Sequence, residues 1–123
     1  MSKNYLAFVV VYNLLPVDYI VDERVEKIEK TINSAISSAA YGRFEASEGN
    51  MLFSFPRDPS VKSAEIPVVV EVKLLNGAVF GAERNAMADQ IRVALLSFFS
   101  EKRGDVIVSV WHSIPSASCS PRS

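Results

Sequence analysis

Residues 5–12, YLAFVVVY, are apolar at nearly every position and rich in β-branched and aromatic side chains. Such a run favours a strand. Because successive strand side chains point to opposite faces, this strand is stable only where both faces of its sheet are shielded from water. The same demand recurs twice. In IPVVVEVKLL at 66–75 every even position is aliphatic and Val69 adds an apolar residue on the other side. In DVIVSVWHSI at 105–114, Ile107 and Trp111 lie opposite Val106, Val108 and Val110.

Between these runs the apolar period changes from two to between three and four. Val21, Val25, Ile28, Ile32, Ala35, Ile36 and Ala39 form one stripe, which predicts a helix from about Asp22 to Ala40, with Asp18 or Asp22 to cap it and Gly42 to end it. Its outer face carries Glu23 with Lys27 and Glu26 with Lys30, pairs that mark a solvated surface. Met87, Ile91, Ala94, Leu95 and Phe98 form a second stripe, predicting a helix from about Ala82 to Lys102. There Lys102 and Arg103 suit the negative end of the dipole and Gly104 stops the chain. Residues 41–55 alternate at Phe44, Met51, Phe53 and Phe55 about a turn at Ser47 to Asn50 and read as a hairpin. The two prolines in PRDPSVKSAE, 56–65, make that stretch a connecting loop, and Asn76 with Gly77 makes a turn.

The strand at Tyr5 and the stripe Ile28, Ile32, Ile36 recur, about 60 residues later, as the strand at Ile66 and the stripe Met87, Ile91, Leu95. Each half is strand, amphipathic helix, strand. Two such halves in one sheet predict an α+β domain of ferredoxin-like plan or a relative of it, one four- to five-stranded sheet with two helices on one face. The domain is expected to span residues 1–115, with 116–123 an irregular Ser-rich tail.

Composition narrows the functional classes. The net charge is -1 across 123 residues, which removes the broad electrostatic argument for a nucleic-acid or acidic-membrane partner. No run approaches the length of a membrane span, and MSKNY lacks the apolar segment of a secretory signal, so the expected location is the cytoplasm. Cys119, the single cysteine, cannot form an internal disulfide. His112, the single histidine, has no cluster of partners with which to hold zinc, and the spacings of Gly77 and Gly81 match neither phosphate-binding fingerprint. No metal, cofactor or catalytic motif is therefore expected. The aromatic residues sit at core spacings without interleaved basic residues, against single-strand binding.

If both helices cover one sheet face, the other should be polar in a monomer, and it is not. A contiguous apolar patch on a soluble chain marks an interface or a groove, so self-association as a dimer or trimer is expected. The competing explanation is that a strand of the hairpin, or the tail after Pro115, folds over that face. Glu71 and Lys73 interrupt the apolar strand on this side and share it with Ser109 and Trp111. These four are the candidate ligand-binding residues: a carboxylate, an ammonium and an indole on a covered sheet could line a pocket or act as acid and base. Alternatively, Glu71 and Lys73 form an exposed structural pair. The functional expectation is an oligomeric module binding a small molecule or a protein. An isomerase-type enzyme using the same residues is the alternative, and an inhibitor acting by surface complementarity would leave no motif.

The second half, PVVVEVKLLNG at Pro67 to Gly77, then a helix with Arg84 and Arg92, then VIVSVWHSIP, resembles the βαβ unit of the tautomerase superfamily. The resemblance covers Pro67 to Pro115 and extends to the first half in element order alone. It implies a tautomerase-like version of the duplicated βαβ sandwich, two units per protomer and assembly into trimers or hexamers. The superfamily's base is an amino-terminal proline. Pro67 follows Ile66, so its nitrogen belongs to an amide, and with Met1 or Ser2 at the start the family chemistry is expected to be absent even on a shared fold. The first strand, FVVVYN, also resembles that of small ferredoxin-like nucleases, in which an Asp ends the strand to bind metal. Asn13 lacks that charge.

Overall fold

A computed structural model describes residues 5–20, 23–39, 46–47, 49–75, 82–99 and 104–112. In chain order the elements are β1 (Ala7–Tyr12), α1 (Pro16–Ile20), α2 (Arg24–Ala39), β2 (Met51–Ser54), β3 (Val68–Leu74), α3 (Ala82–Phe99) and β4 (Val106–His112). The described strands form one sheet in the order β2-β1-β3-β4. β1 runs parallel to β2, β3 runs parallel to β4, and β1 meets β3 antiparallel. In each half the two parallel strands are direct neighbours, whereas a ferredoxin-like split βαβ unit places another strand between them. The architecture is thus the tautomerase-like one of the two expected plans. Met51–Ser54, read from sequence as part of a hairpin, is the return strand of the first βαβ unit. The other proposed arm, around Phe44, lies outside the described residues.

The core fills the space between the helices and one sheet face. Ala7, Val9 and Val11 of β1, Val68, Val70, Val72 and Leu74 of β3, and Val106 of β4 are all buried. Against them pack Ile28, Ile32, Ala35, Ile36 and Ala39 of α2, with Met87, Ile91, Leu95 and Phe99 of α3. Met87 to Phe99 advance by four residues each time, so a single ridge of α3 faces the sheet. Phe98 packs at the margin of that ridge, edge-on to Phe99 with ring centroids 5.1 Å apart. Alternation along the strands and near-fourfold spacing along the helices thus bury one continuous layer.

The path from β1 into α2 differs from expectation. Asn13 ends β1 at φ 72, a left-handed conformation that Asn tolerates better than most residues, and its Nδ2 donates to the Pro67 carbonyl at 3.0 Å. The short helix α1 follows at once. Asp18, considered as a cap for the long helix, serves α1: its Oδ2 accepts from the Leu15 amide at 2.7 Å, the reach-back half of a capping box. Its Oδ1 accepts from Arg24 Nε at 2.9 Å, and Asp18 is only 3% exposed. The Arg24 guanidinium sits 5.3 Å from the Phe98 ring centroid. One buried carboxylate thereby ties α1 to α2 and, through that guanidinium, to the end of α3. The long helix begins at Arg24 because Glu23, at φ 55, breaks the helical path.

The second half closes by a comparable device. Arg92 on α3 donates through Nε to the Val106 carbonyl at 3.1 Å and through Nη2 to Asp105 at 2.9 Å. Asp105 also accepts from the Val106 amide, and that bond, followed by Arg92, holds its carboxyl below the usual range. Val21, Asp22, Gly42, the Asn76–Gly77 turn, Gly81, Lys102, Arg103, Cys119 and the tail lie outside the described residues.

Gly104, expected as a helix stop, has a further duty just before β4. Its amide donates to Ala64 O at 2.7 Å, and a Cβ at this position would lie 2.5 Å from the Glu65 carbonyl oxygen. Backbone cannot yield as a flexible side chain does. Gly104→Ala is therefore expected to destabilise the domain by about 1–3 kcal/mol, the range for forced overpacking. A fall in the urea midpoint at unchanged m-value is the expected result.

Candidate functional site

The face of the sheet away from the helices is organised by register. One row across the strands reads Leu52, Phe8, Lys73, Trp111; the next reads Ser54, Val10, Glu71, Ser109; a third reads Tyr12, Val69, Ile107. Pairing aligns the residues, and strand alternation puts them all on one side, opposite the buried valines. Leu52 is 38%, Ile107 47% and Trp111 49% exposed, so within one chain the described residues leave a broad apolar surface open.

Four residues were singled out from sequence. β3 and β4 bring Glu71 beside Ser109 and Lys73 beside Trp111, as direct register partners. Glu71, Lys73 and Trp111 line an open depression of about 230 Å³, with Phe8, Val10 and Tyr12 of β1 forming the remainder of its wall. Ser109 stands next to Glu71 but does not line the depression. The β1 residues were recognisable in sequence as an apolar strand. Their place beside Glu71 was not, because it depends on how β1 aligns with β3.

Tyr12 is the polar lining residue of the depression that sequence reasoning missed. It sits opposite Val69 and thus diagonally from Glu71, within reach of an aromatic side chain. Its hydroxyl donates to Glu71 Oε1 at 3.2 Å. Loss of hydration, then the negative charge of Glu71, then that hydrogen bond, raise the Tyr12 phenol above its usual range. A neutral phenol donating to a carboxylate, with an exposed ammonium two residues from that carboxylate, can hold a polar ligand or carry a proton between groups.

Among the described residues no three His, Cys, Asp or Glu side chains come together to hold a metal ion. His112 is the last residue of β4. No described helix is long and apolar enough to cross a membrane. Pro67 precedes β3 within the chain, its nitrogen in the peptide bond from Ile66 and its carbonyl accepting from Asn13.

No protein-family model matches the sequence, and no curated protein is detectably similar to it. Solved structures do match. A 5-carboxymethyl-2-hydroxymuconate delta-isomerase superposes with a TM-score of 0.63 at 11% identity, covering 89% of this chain and 84% of its own. A malonate semialdehyde decarboxylase gives 0.56 at 14%, covering 88% and 84%. A fused 4-OT, described as an asymmetric trimer, gives 0.55 at 15%, covering 88% and 92%. At such identities the likeness speaks for fold alone. It extends over both halves, where the sequence resemblance covered one, and the fold of this chain is that of the tautomerase superfamily.

Proposed function

We propose that this chain is the subunit of a homo-oligomer, most simply a trimer, whose bare sheet faces meet, with the Tyr12–Glu71–Lys73 depression serving as a small-molecule site at or near the junction. The observation that carries this reading is the exposure of Leu52, Ile107 and Trp111 on the face opposite the helices. Large apolar side chains grouped on one face are costly in water, and copies of the same chain can cover them without further sequence signals. The fused 4-OT, of matching length and fold, is a trimer, which supports three copies over two.

Light scattering after size exclusion at micromolar concentration is expected to give a multiple of the 13.5 kDa chain mass. Trp111→Asp and Ile107→Asp should each shift the protein to the monomer with helical circular dichroism retained, since both side chains are half-exposed in the single chain. A wild-type protein eluting at the monomer mass defeats the proposal.

A second reading, an isomerase-type enzyme, draws on the Tyr12–Glu71 hydrogen bond. In an enol-to-keto isomerisation the enol oxygen loses its proton and a carbon gains one. Glu71 would accept the first, the Tyr12 phenol or the Lys73 ammonium would supply the second, and solvent would restore both groups. Amide-bonded Pro67 offers no base. The discriminating assay is ketonisation of 2-hydroxymuconate, the parent skeleton in the name of one structural neighbour. On this reading Glu71→Gln should lower the rate by about 10²-fold or more, whereas a wild-type rate equal to buffer excludes it.

The paired groups also carry a pH signature of their own. The folded Tyr12 pKa lies above its unfolded value near 10. Its contribution to stability is therefore complete below the unfolded pKa and is lost as pH rises through the folded one. Ultraviolet titration should show Tyr12 and Tyr19 ionising above the ordinary range, with the Tyr12 transition absent in Tyr12→Phe. In Glu71→Gln the Tyr12 midpoint should move down, because the neighbouring charge is gone.

A further inference from the structure

A second concavity lies away from the sheet face, beyond the carboxyl ends of the adjacent parallel strands β1 and β2. That is where open α/β sheets commonly bind ligands. Its volume is about 430 Å³, within the ordinary range for small-ligand pockets, and Leu14, Pro16, Ile20 and Pro59 make its walls mostly apolar. Its polar equipment is sparse and ordered.

Tyr19 forms one side. Its hydroxyl lies 3.3 Å from the Phe55 carbonyl and 3.1 Å from that of Pro56, sharing its single proton between them, so the ring is fixed against the chain leaving β2. The Arg57 guanidinium stacks on this ring, 4.1 Å from its centroid. Stacking occupies the face of the guanidinium and leaves its in-plane N–H fork unused. Among the described residues no hydrogen bond or ion pair engages that fork. The adjacent carboxylate, Asp58, is exposed and also lines the groove, where its Oδ1 accepts from the Ser60 amide at 3.0 Å and the Ser60 hydroxyl at 2.7 Å. Asp18 is committed to Leu15 and Arg24. The groove thus has mostly apolar walls with two charged residues in its lining, Asp58, whose carboxylate is held by Ser60, and Arg57, whose guanidinium is held over Tyr19 with its hydrogen-bonding edge open.

We propose that this groove binds a carboxylate with a compact apolar body, the carboxylate engaged by Arg57 and the body lying along Leu14, Pro16, Ile20 and Pro59. A planar guanidinium held by an aromatic platform matches the two oxygens of a carboxylate, and fixing it beforehand reduces the side-chain entropy lost on binding. A purely apolar occupant, including an apolar face of another copy, would leave this charge partly desolvated and unpaired, which disfavours it. The carboxylate could belong to a free organic acid or to a polypeptide C-terminus, and both present the same group.

The test is a ¹H–¹⁵N titration of the full chain with 3-phenylpropionate, using neutral 3-phenylpropionamide as the matched control. Saturable shifts are expected at Arg57 Nε–H and at the Tyr19 and Ile20 amides, with an affinity in the millimolar range. The amide should bind at least about tenfold more weakly, and Arg57→Gln should weaken the acid by a similar factor while leaving amide binding unchanged. Ile20→Gln, at a residue 81% exposed and thus harmless to folding, should weaken acid and amide alike. A short peptide with a free apolar C-terminal residue, run in parallel, separates the two sources: tighter binding than the acid assigns the groove to polypeptide termini, and weaker binding to free acids. Absence of saturation, equal affinity for acid and amide, or acid binding unaffected by Arg57→Gln overturns the proposal. Since the titration reads the groove in whatever assembly the protein forms, its outcome is independent of the oligomer test above.

Discussion

The two halves of the sheet meet at one seam, β1 against β3, whose register runs from Ala7 opposite Leu74 to Tyr12 opposite Val69. Everything on either face follows from that alignment. Val9 meets Val72 and Val11 meets Val70 under the helices, while Val10 meets Glu71 and Phe8 meets Lys73 on the far side. A slip by one residue would turn Glu71 and Lys73 into the core and the valines out of it. Burying two unpartnered charges is far costlier than any loss of strand pairing, so the core itself enforces the register that assembles the depression.

Two of the described carboxylates, Asp18 and Glu71, are each placed against a partner. Asp18 is buried, yet it satisfies the Leu15 amide and holds Arg24, so its charge joins three helices without being isolated. Breaking such a pair costs more than the pair contributes, because the survivor remains in a poor dielectric. Glu71 on the far face has the Tyr12 hydroxyl. Arg57 differs from both: it has an aromatic surface beneath it and its hydrogen-bonding edge open. Asp18, buried and fully paired, belongs to the scaffold, while Glu71 and Arg57 stand at open surfaces where a ligand can reach them.

Much of this was readable in advance. The alternation in 66–75 and 105–114 appears as β3 and β4, and the stripe Ile28, Ile32, Ile36 lies fully buried on α2, because side-chain direction within an element depends on neighbours a few residues away. Glu71, Lys73 and Trp111 could be grouped from strand period alone, and they do line one depression. Tyr12 could not, being 59 residues from Glu71 along the chain. Nor could α1, where Asn13 and Glu23 leave the usual backbone regions with no glycine to announce it. The Tyr19–Arg57 stack likewise joins a short helix to a loop whose composition signalled only a connection.

The sequence by itself determined the repeated strand–helix–strand order and the excess of apolar strand residues over what two helices can cover. Both are consequences of local periodicity and of the finite area of a sheet face. Only the tertiary structure decided that parallel strands pair side by side within each half, that the halves join antiparallel, and which distant side chains become neighbours. Those outcomes depend on the register and crossing of separate elements, which are set by the packing of the whole core and not by any stretch of adjacent residues.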